Sequence, residues 1–491
     1  MADTRQPSSF SATLSHDAQH RIEVFCAACH KLPDPQTFPK ANWEGEVEQG
    51  FKFYIASGRT DLEEPSRAET VRYFRDRAPD SISVPIVPST KSAHRFVNTP
   101  LPKDSIPTTP HCLADMRWFP GSSELIASNM MTGDISLFRP RSNWHHTLLG
   151  NVKNSCRVTP CDWNHDSHRD LLVCDIGSFP VGDHHRGKIE IWIGTEDGKY
   201  DRRKIDAELA RVVEAQLIDF DLDGDSDILV AEFGWRETGS VKLLRNPGNA
   251  TEPSPTAIAD AIRFDVETLD KRHGALGVRV SDLNQDGRQD YVIAFAQEYE
   301  TLEAYFGREG GGFDKQVLLE LVDPSYNSSS YELCDIDRDG KLDILHTNGD
   351  TMDAFLPKPY HGVRWLRNVD NTKWESRELG MLVGALHACT ADFDGDGDMD
   401  IAAVGMLPLE TREYDGKYDS VVWWEQTENL EFRRHALAQF GSSHATCLAT
   451  DIDGNGLPDL IVGNWHPSGS QAPFDVYLSQ KPEPGPAQGS E

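Results

Sequence analysis

One acidic motif recurs six times along the chain, and its spacing limits the fold more than any other feature. It reads Asp162-W-Asn164-H-Asp166-S-H-R-Asp170, Asp219-F-Asp221-L-Asp223-G-D-S-Asp227 and Asp282-L-Asn284-Q-Asp286-G-R-Q-Asp290. It continues as Asp335-I-Asp337-R-Asp339-G-K-L-Asp343, Asp392-F-Asp394-G-Asp396-G-D-M-Asp400 and Asp451-I-Asp453-G-Asn455-G-L-P-Asp459. The shared form is D-x-[DN]-x-[DN]-G-x-x-D, and successive copies begin 57, 63, 53, 57 and 59 residues apart. That period belongs to a supersecondary unit rather than a domain, so the chain describes an array.

Each motif is followed by a short apolar run (LLVCDIG, ILVAEFG, YVIAFAQ, ILHTNG, IAAVGM, LIVGNW) and then by an alternating run (KIEIWIG, SVKLLRN, TLEAYFG, GVRWLRN, SVVWWEQ, DVYLSQ). β-Branched and aromatic residues at alternate positions suit pleated sheets. Upstream, HCLADMRWFPGSSELIASNMMTGDISLFRP has the same layout around Asp115 without the acidic turn, which makes seven units. Repeats of this length with about four short strands are propeller blades. The expected fold is therefore mainly β, a seven-bladed β-propeller over 111–480. Outer strands are expected in HHTLLGNV, IRFDVETL, DKQVLLEL, WESRELG and EFRRHALAQ. The last blade has no candidate of its own, and RFVNTPL at 95–101 is placed to supply it and close the ring.

Oxygen ligands at positions 1, 3, 5 and 9, with Gly at 6 for the bend, form the pattern of a calcium loop, here set between two strands. A single copy would read as an Asp-Gly hairpin turn with solvated charges. Six copies in register point instead to up to six calcium ions. Three sites carry four Asp and three carry three, which accounts for about two-thirds of the formal net charge of −31. These repeats resemble the FG-GAP or VCBS repeats of integrin-like propellers, and the resemblance implies structural calcium at this turn. The Asp162 site departs from the pattern in having Ser167 where Gly is expected.

A second motif stands alone near the N-terminus. Cys26-Ala27-Ala28-Cys29-His30 is the C-x-x-C-H arrangement in which two thioethers hold a porphyrin and the His ligates its iron. No βαβ pattern accompanies it, as a redox C-x-x-C would have, and no nearby Cys pair completes a zinc site. Helices are expected in LSHDAQHRIEVFCAACH, ANWEGEVEQGFKFYIASG and SRAETVRYFRDRAP, with a proline-rich loop KLPDPQTFP between the first two. The block VFCAACHKLPDPQTFPKANW resembles the monohaem cytochrome c modules fused to VCBS-type propellers. That resemblance implies covalent haem c on Cys26 and Cys29, with His30 as the proximal ligand. Such modules commonly offer a distal Met, yet neither Met nor His occurs from residue 31 to residue 93. The sixth position is left to His16, His20, His94 or His111, or stands open.

The organisation expected is a flexible N-terminus at 1–15, a cytochrome c-like haem domain at 16–80, a Pro-rich linker with the ring-closing strand at 81–110, the propeller at 111–480 and a flexible tail at 481–491. Lys and Arg total 48 against 79 Asp and Glu, so nucleic acid is a poor partner. No apolar run is long enough to span a membrane. The remaining seven of nine Cys are scattered as core residues rather than a disulfide framework. The start MADTRQPSSFSATLSHD shows no secretion signal, but covalent haem attachment places the functional protein in the periplasm or outside the cell. His111, His273, His387 and His444 precede the acidic turns on the innermost strands, and His346, His361 and His466 follow the second strands. No spacing among them specifies a nucleophile or a metal, so catalytic residues are not assigned. Three functions compete: an extracytoplasmic electron carrier whose propeller docks a redox partner, a haem-coupled oxidoreductase with a small substrate at the channel mouth, and an adhesion module binding glycans or proteins.

Overall fold

The computed structural model describes residues 14–480 apart from 91, 93, 103–109, 120, 181, 236, 249–260, 352–354, 408–413, 441–442 and 469–471. Most of the expected flexible start, all of the expected tail and part of the expected linker lie outside the described residues. The chain divides into two compact units, residues 1–83 with 322–325, and residues 84–321 with 326–491.

The first unit is helical, with α1 (His16–Cys26), α2 (Trp43–Ala56) and α3 (Arg67–Arg75). Ser15 caps α1 by accepting from the Ala18 N–H, and Ser66 caps α3 by accepting from that of Glu69, which satisfies N–H groups the first turn leaves unpaired. Ile22, Phe25, Trp43, Val47, Phe51, Tyr54, Tyr73 and Phe74 form the core, with Trp43 stacked on Phe74 at 4.3 Å. The first helix is shorter than the sequence implies. It ends at Cys26, and Cys29 and His30 lie in the turn beyond. Pro33 and Pro35 follow closely, and proline disfavours helical geometry at itself and at the residue before it.

The second unit is a series of four-stranded antiparallel modules at 111–151, 155–205, 212–270, 275–320, 328–381 and 385–439. One more spans 444–480 and is completed by Arg95–Asn98. That early strand pairs antiparallel with Phe474–Gln480, Arg95 opposite Gln480 and Val97 opposite Leu478. His94 is buried at this join and meets Ser479 Oγ through Nε2 at 2.7 Å. The innermost strands are His111–Phe119, Ser155–Cys161, Val212–Ile218, Ala275–Ser281, Ser328–Cys334, Ala385–Ala391 and His444–Thr450. Each packs on the next, and the last packs on the first, so they form a closed circuit. The second strands, such as Asp227–Glu232 and Asp400–Gly405, are buried along their whole length, which explains why their sequences run apolar rather than alternate. One strand was not legible in the sequence: Ala261–Ile262 adds to the 155–205 sheet in parallel with Tyr200–Ile205.

Modules 275–320 and 328–381 share a buried polar join. Glu300, 2 % exposed and at a left-handed φ of 47°, accepts from the Ser328 N–H at 3.0 Å and from the Ser328 hydroxyl at 2.6 Å. Burial pushes its carboxyl up to about 8, against the pull of those hydrogen bonds and of Lys358. An acid whose folded value lies above its ordinary 4.5 favours folding while protonated, so that stability is complete below pH 4.5 and is lost as pH rises through about 8. Glu300→Gln should flatten the stability profile across that window, removing a slope of at most about 1.4 kcal/mol per pH unit. Urea denaturation at several pH values measures this, and a variant profile parallel to the parent would refute it.

Candidate functional site

The last Asp of each motif is a structural clamp. Asp170, Asp227, Asp290, Asp343, Asp400 and Asp459 are each at most 2 % exposed. In every case Oδ2 accepts from the N–H of the second motif residue: Trp163 at 2.7 Å, Phe220 at 3.1, Leu283 at 2.9, Ile336 at 3.2, Phe393 at 3.1 and Ile452 at 2.9. Oδ1 accepts from the far end of the third strand: Gly194, Asn246, Gly307, Asn368, Gln426 and Ser479, all at 2.7 or 2.8 Å. One carboxylate thus ties the turn to the neighbouring strand. Burial pushes these carboxyls up, to about 6 for Asp343 and Asp459 and about 8 for Asp400, against the pull of the same backbone donors.

The earlier motif positions face each other. Asp219, Asp221 and Asp223 present oxygens within 4.8 Å of one another, as do Asp335, Asp337 and Asp339, and Asp392, Asp394 and Asp396, while in the last loop Asp451 and Asp453 are joined by the clamp residue Asp459 itself. The loops beginning at Asp162 and Asp282 have Asn at position 3, whose side-chain amide donates to Asp166 and Asp286 at 2.9 Å. Asn455 likewise donates to Asp453, at 3.2 Å. In the five loops with Gly at position 6, its N–H donates to the first Asp, and these glycines hold φ between 85° and 104°. Ser167 takes the same left-handed region at 65°, but makes no such bond to Asp162 among the described residues. Basic side chains neutralise several turns: Arg245 on Asp221, Arg367 on Asp337, Arg288 on Asp286 and Lys341 on Asp339. Among the described residues, the Asp392 turn has only Arg338 at 3.7 Å, and burial with the Asp396 charge pushes Asp394 up to about 6. Facing oxygens that repel one another are a donor set that fits a hard cation.

The histidines expected at a channel mouth are engaged in local contacts. His111 and His444 are buried, the latter bonded to Asn464 at 2.8 Å, and His273 meets Glu298 at 2.6 Å. His346 is buried against Ser328, and burial pushes it down to about 3. His361 accepts from the Gly384 N–H at 3.4 Å. His387 belongs to a feature the sequence reading missed, a chain of ion pairs carried by the innermost strands. Arg157 meets Asp115 at 3.0 Å and Glu214 at 3.5 Å, and Arg279 bonds Glu214 and meets Glu332 at 3.1 Å. His387 reaches Glu332 at 3.2 Å and Cys447 Sγ at 3.6 Å, and Arg117 meets Asp115 at 3.3 Å. Against the upward push of burial, Arg117 and Arg157 hold the Asp115 carboxyl below its usual range. All seven inner strands carry a register shift near their start, and in four of them it falls directly before Asp115, Arg157, Glu214 or His387. A bulge of that kind re-aims a side chain. Gly277 takes the same place in its strand, where a Cβ would stand 2.4 Å from the Glu214 carboxylate.

In the helical unit, Cys26 is partly buried, with burial pushing its thiol up to about 12, while Cys29 is exposed. His30 Nδ1 lies 2.6 Å from the Lys31 carbonyl. A carbonyl only accepts, so Nδ1 carries the proton and Nε2 is the basic nitrogen, the orientation that metal-binding histidines adopt. Arg59 brings the exit of α2 against the motif, 3.4 Å from Cys29 Sγ and from the Ala28 carbonyl. Val24 and Ile55 are exposed, at 49 % and 56 %. Two thiols and an imidazole whose Nδ1 is held, with Nε2 making no other bond among the described residues, are a donor set that fits an attached porphyrin.

The clamp and the facing carboxylates should separate by mutation. Asp400→Ala leaves two buried N–H groups without an acceptor and should lower stability by about 2–5 kcal/mol with or without calcium. Asp396→Ala removes an exposed carboxylate and should cost under about 1 kcal/mol in chelator, with a larger loss only when calcium is present. Denaturant titrations of both variants in each condition test the division; equal costs in chelator would contradict it.

The FG-GAP-like repeat family matches residues 282–346. No curated protein matches the chain. Among solved structures, a crystal structure of an ancestral GH74 enzyme is similar with a TM-score of 0.50 and 8% sequence identity, covering 76% of this chain and 48% of that one. The chain spans about half the length of that structure, and at such identity the likeness concerns the fold alone. With the repeated motif, these matches place an FG-GAP-like repeat within a mainly β, propeller-like fold.

Proposed function

We propose that the chain is a haem c electron-transfer protein working outside the cytoplasm, in the periplasm or extracellularly, with a calcium-stabilised seven-bladed propeller that docks a redox partner. The observation that carries the reading is Cys26 and Cys29 followed by His30 with Nε2 as its basic nitrogen. Cys26 and Cys29 would hold the porphyrin and His30 would ligate the iron. When bound, the haem supplies a one-electron iron couple. The chain's own part is to keep the His30 ring oriented through the Lys31 carbonyl.

Each module would be one blade, with Arg95–Asn98 as the outer strand of the last. Between carrier and oxidoreductase, the inner-strand ion pairs favour the carrier, because charged side chains already satisfied by one another offer a substrate little to bind. No helix among the described residues is long and apolar enough to cross a membrane. A net charge of −31 suits a basic partner, whose approach it would accelerate at low salt.

Haem staining after denaturing electrophoresis, on protein made with the haem c maturation machinery, should mark the chain, and Cys26→Ala with Cys29→Ala should abolish the stain. An unstained parent would end the reading. Chelation should lower the melting temperature by several degrees while the haem spectrum stays fixed, since the acidic turns belong to the propeller; an unchanged melting temperature would remove calcium from it.

A further inference from the structure

We propose that Cys389 and Cys447 are a peroxide-reactive thiol pair: a small hydroperoxide oxidises Cys389, and Cys447, with His387 as its base, closes a disulfide between two neighbouring modules. The two residues stand on the innermost strands Ala385–Ala391 and His444–Thr450, which pack on one another. Both are free thiols, Cys389 partly exposed and Cys447 buried. Alternate residues of a strand share a face, so Cys389 lies on the side of its strand that carries His387. That side packs against the cluster holding Cys447, and the two thiols are in hydrogen-bond contact.

A base and an orienting acid stand beside them. Cys447 Sγ lies 3.6 Å from His387 Nδ1 and 3.9 Å from the His387 carbonyl. His387 Nδ1 accepts from the Cys447 N–H at 3.4 Å, and Nε2 faces Glu332 Oε1 at 3.2 Å. Nδ1 is therefore the basic nitrogen, and Nε2 carries the proton. Against the upward push of burial, Arg279 and His387 hold the Glu332 carboxyl well below its usual range, so a charged carboxylate stands ready to stabilise an imidazolium. Thiol, imidazole and carboxylate in that order form the arrangement that activates a cysteine. Cys156, by contrast, donates to the carbonyls of Cys174 at 3.5 Å and Val212 at 3.2 Å, which take up no proton.

The environments of the two thiols set the order of events. Burial and the Cys389 contact push the Cys447 thiol well up, so it is not the first to react. Cys389 is the one a small oxidant reaches. Its thiolate attacks one peroxide oxygen, the O–O bond breaks, and the leaving hydroxide takes up the thiol proton as water, which leaves a sulfenic acid. His387 Nδ1 then takes the Cys447 proton, and the Cys447 sulfur attacks Cys389 Sγ. The S–S bond forms as the S–O bond breaks, and the departing hydroxide leaves as water with the proton from His387. Two thiols and one hydrogen peroxide thus give one disulfide and two waters, two electrons passing from sulfur to oxygen.

The test treats the folded full chain with hydrogen peroxide, then alkylates it in denaturant and digests it. Mass spectrometry should find the Cys389 and Cys447 peptides joined with the loss of two hydrogens, and dithiothreitol should restore both thiols. Cys447→Ser should halt the reaction at a Cys389 sulfenic acid that dimedone traps, and Cys389→Ser should leave Cys447 open to alkylation. His387→Gln keeps an amide donor toward Glu332 and loses the base; with its circular dichroism unchanged, it should close the disulfide about a hundredfold more slowly and accumulate the dimedone adduct. The two serine variants decide the pair independently of that one. Treated parent with both thiols still alkylated would overturn the inference, as would dimedone on Cys447 in place of Cys389. Closure at the parent rate in folded His387→Gln would overturn the role given to the imidazole.

Discussion

A carboxylate removed from water must find hydrogen-bond donors or give up its charge, and six buried aspartates in this chain find theirs in the backbone. Each receives one N–H from its own turn and one from the end of the third strand, so a single side chain fixes both the bend and the register of the strand beyond it. This makes the ninth motif position the least replaceable, because any smaller residue strands two buried donors. The module at 111–151 has no such Asp. There Glu124 stands at the start of the second strand and pairs with Arg139 at 2.9 Å and Arg169 at 3.4 Å. The position keeps an acid and changes its partner from backbone to guanidinium, across to the neighbouring module.

The inner strands meet a second electrostatic constraint. Asp115, Glu214 and Glu332 are matched by Arg117, Arg157 and Arg279, a balanced set in which removing one member would leave a buried charge uncompensated. His387 completes the chain without adding charge: the Cys447 N–H donates to its Nδ1 at 3.4 Å, which leaves Nε2 to donate to Glu332. The residues come from six neighbouring strands, so the network runs from module to module along the circuit. Apolar packing between modules fixes how far apart the strands lie, and the alternating charges fix which strand stands beside which.

The repeat was legible because the motif and its clamp recur at a nearly constant interval and because buried second strands read as apolar runs. The clamp role of the ninth Asp was not legible, since spacing alone does not say whether a carboxylate turns toward an ion or toward backbone donors, and Asp459 belongs to both sets. The charge network was invisible for another reason. Its members lie about a repeat apart, and each looks like an ordinary charged residue within a strand. Their signal was positional: Arg157, Glu214 and His387 stand five residues before the first Asp of their motifs, Arg279 and Glu332 three before. Both intervals place them on one face of the innermost strand. The end of α1 was misplaced because periodicity carried past Cys26, whereas the prolines that follow were the better guide.

Topology settles where the acidic charge goes. Every motif begins where an innermost strand ends, and successive innermost strands run the same way around the circuit, so all six turns emerge on one face of the β unit. The buried histidines His111 and His444 and the Glu300–Ser328 join sit at the opposite ends of those strands. One face therefore carries the six acidic turns, and the other the strand starts with His111, His444 and the Glu300–Ser328 join. Divalent cations in the turns would cancel charge on the first face alone. If the turns held metal, a partner that read the first face by charge would meet a surface whose strength depends on occupancy, while a partner on the second face would not. By the direction of its strands, the fold has gathered its six acidic turns on a single side.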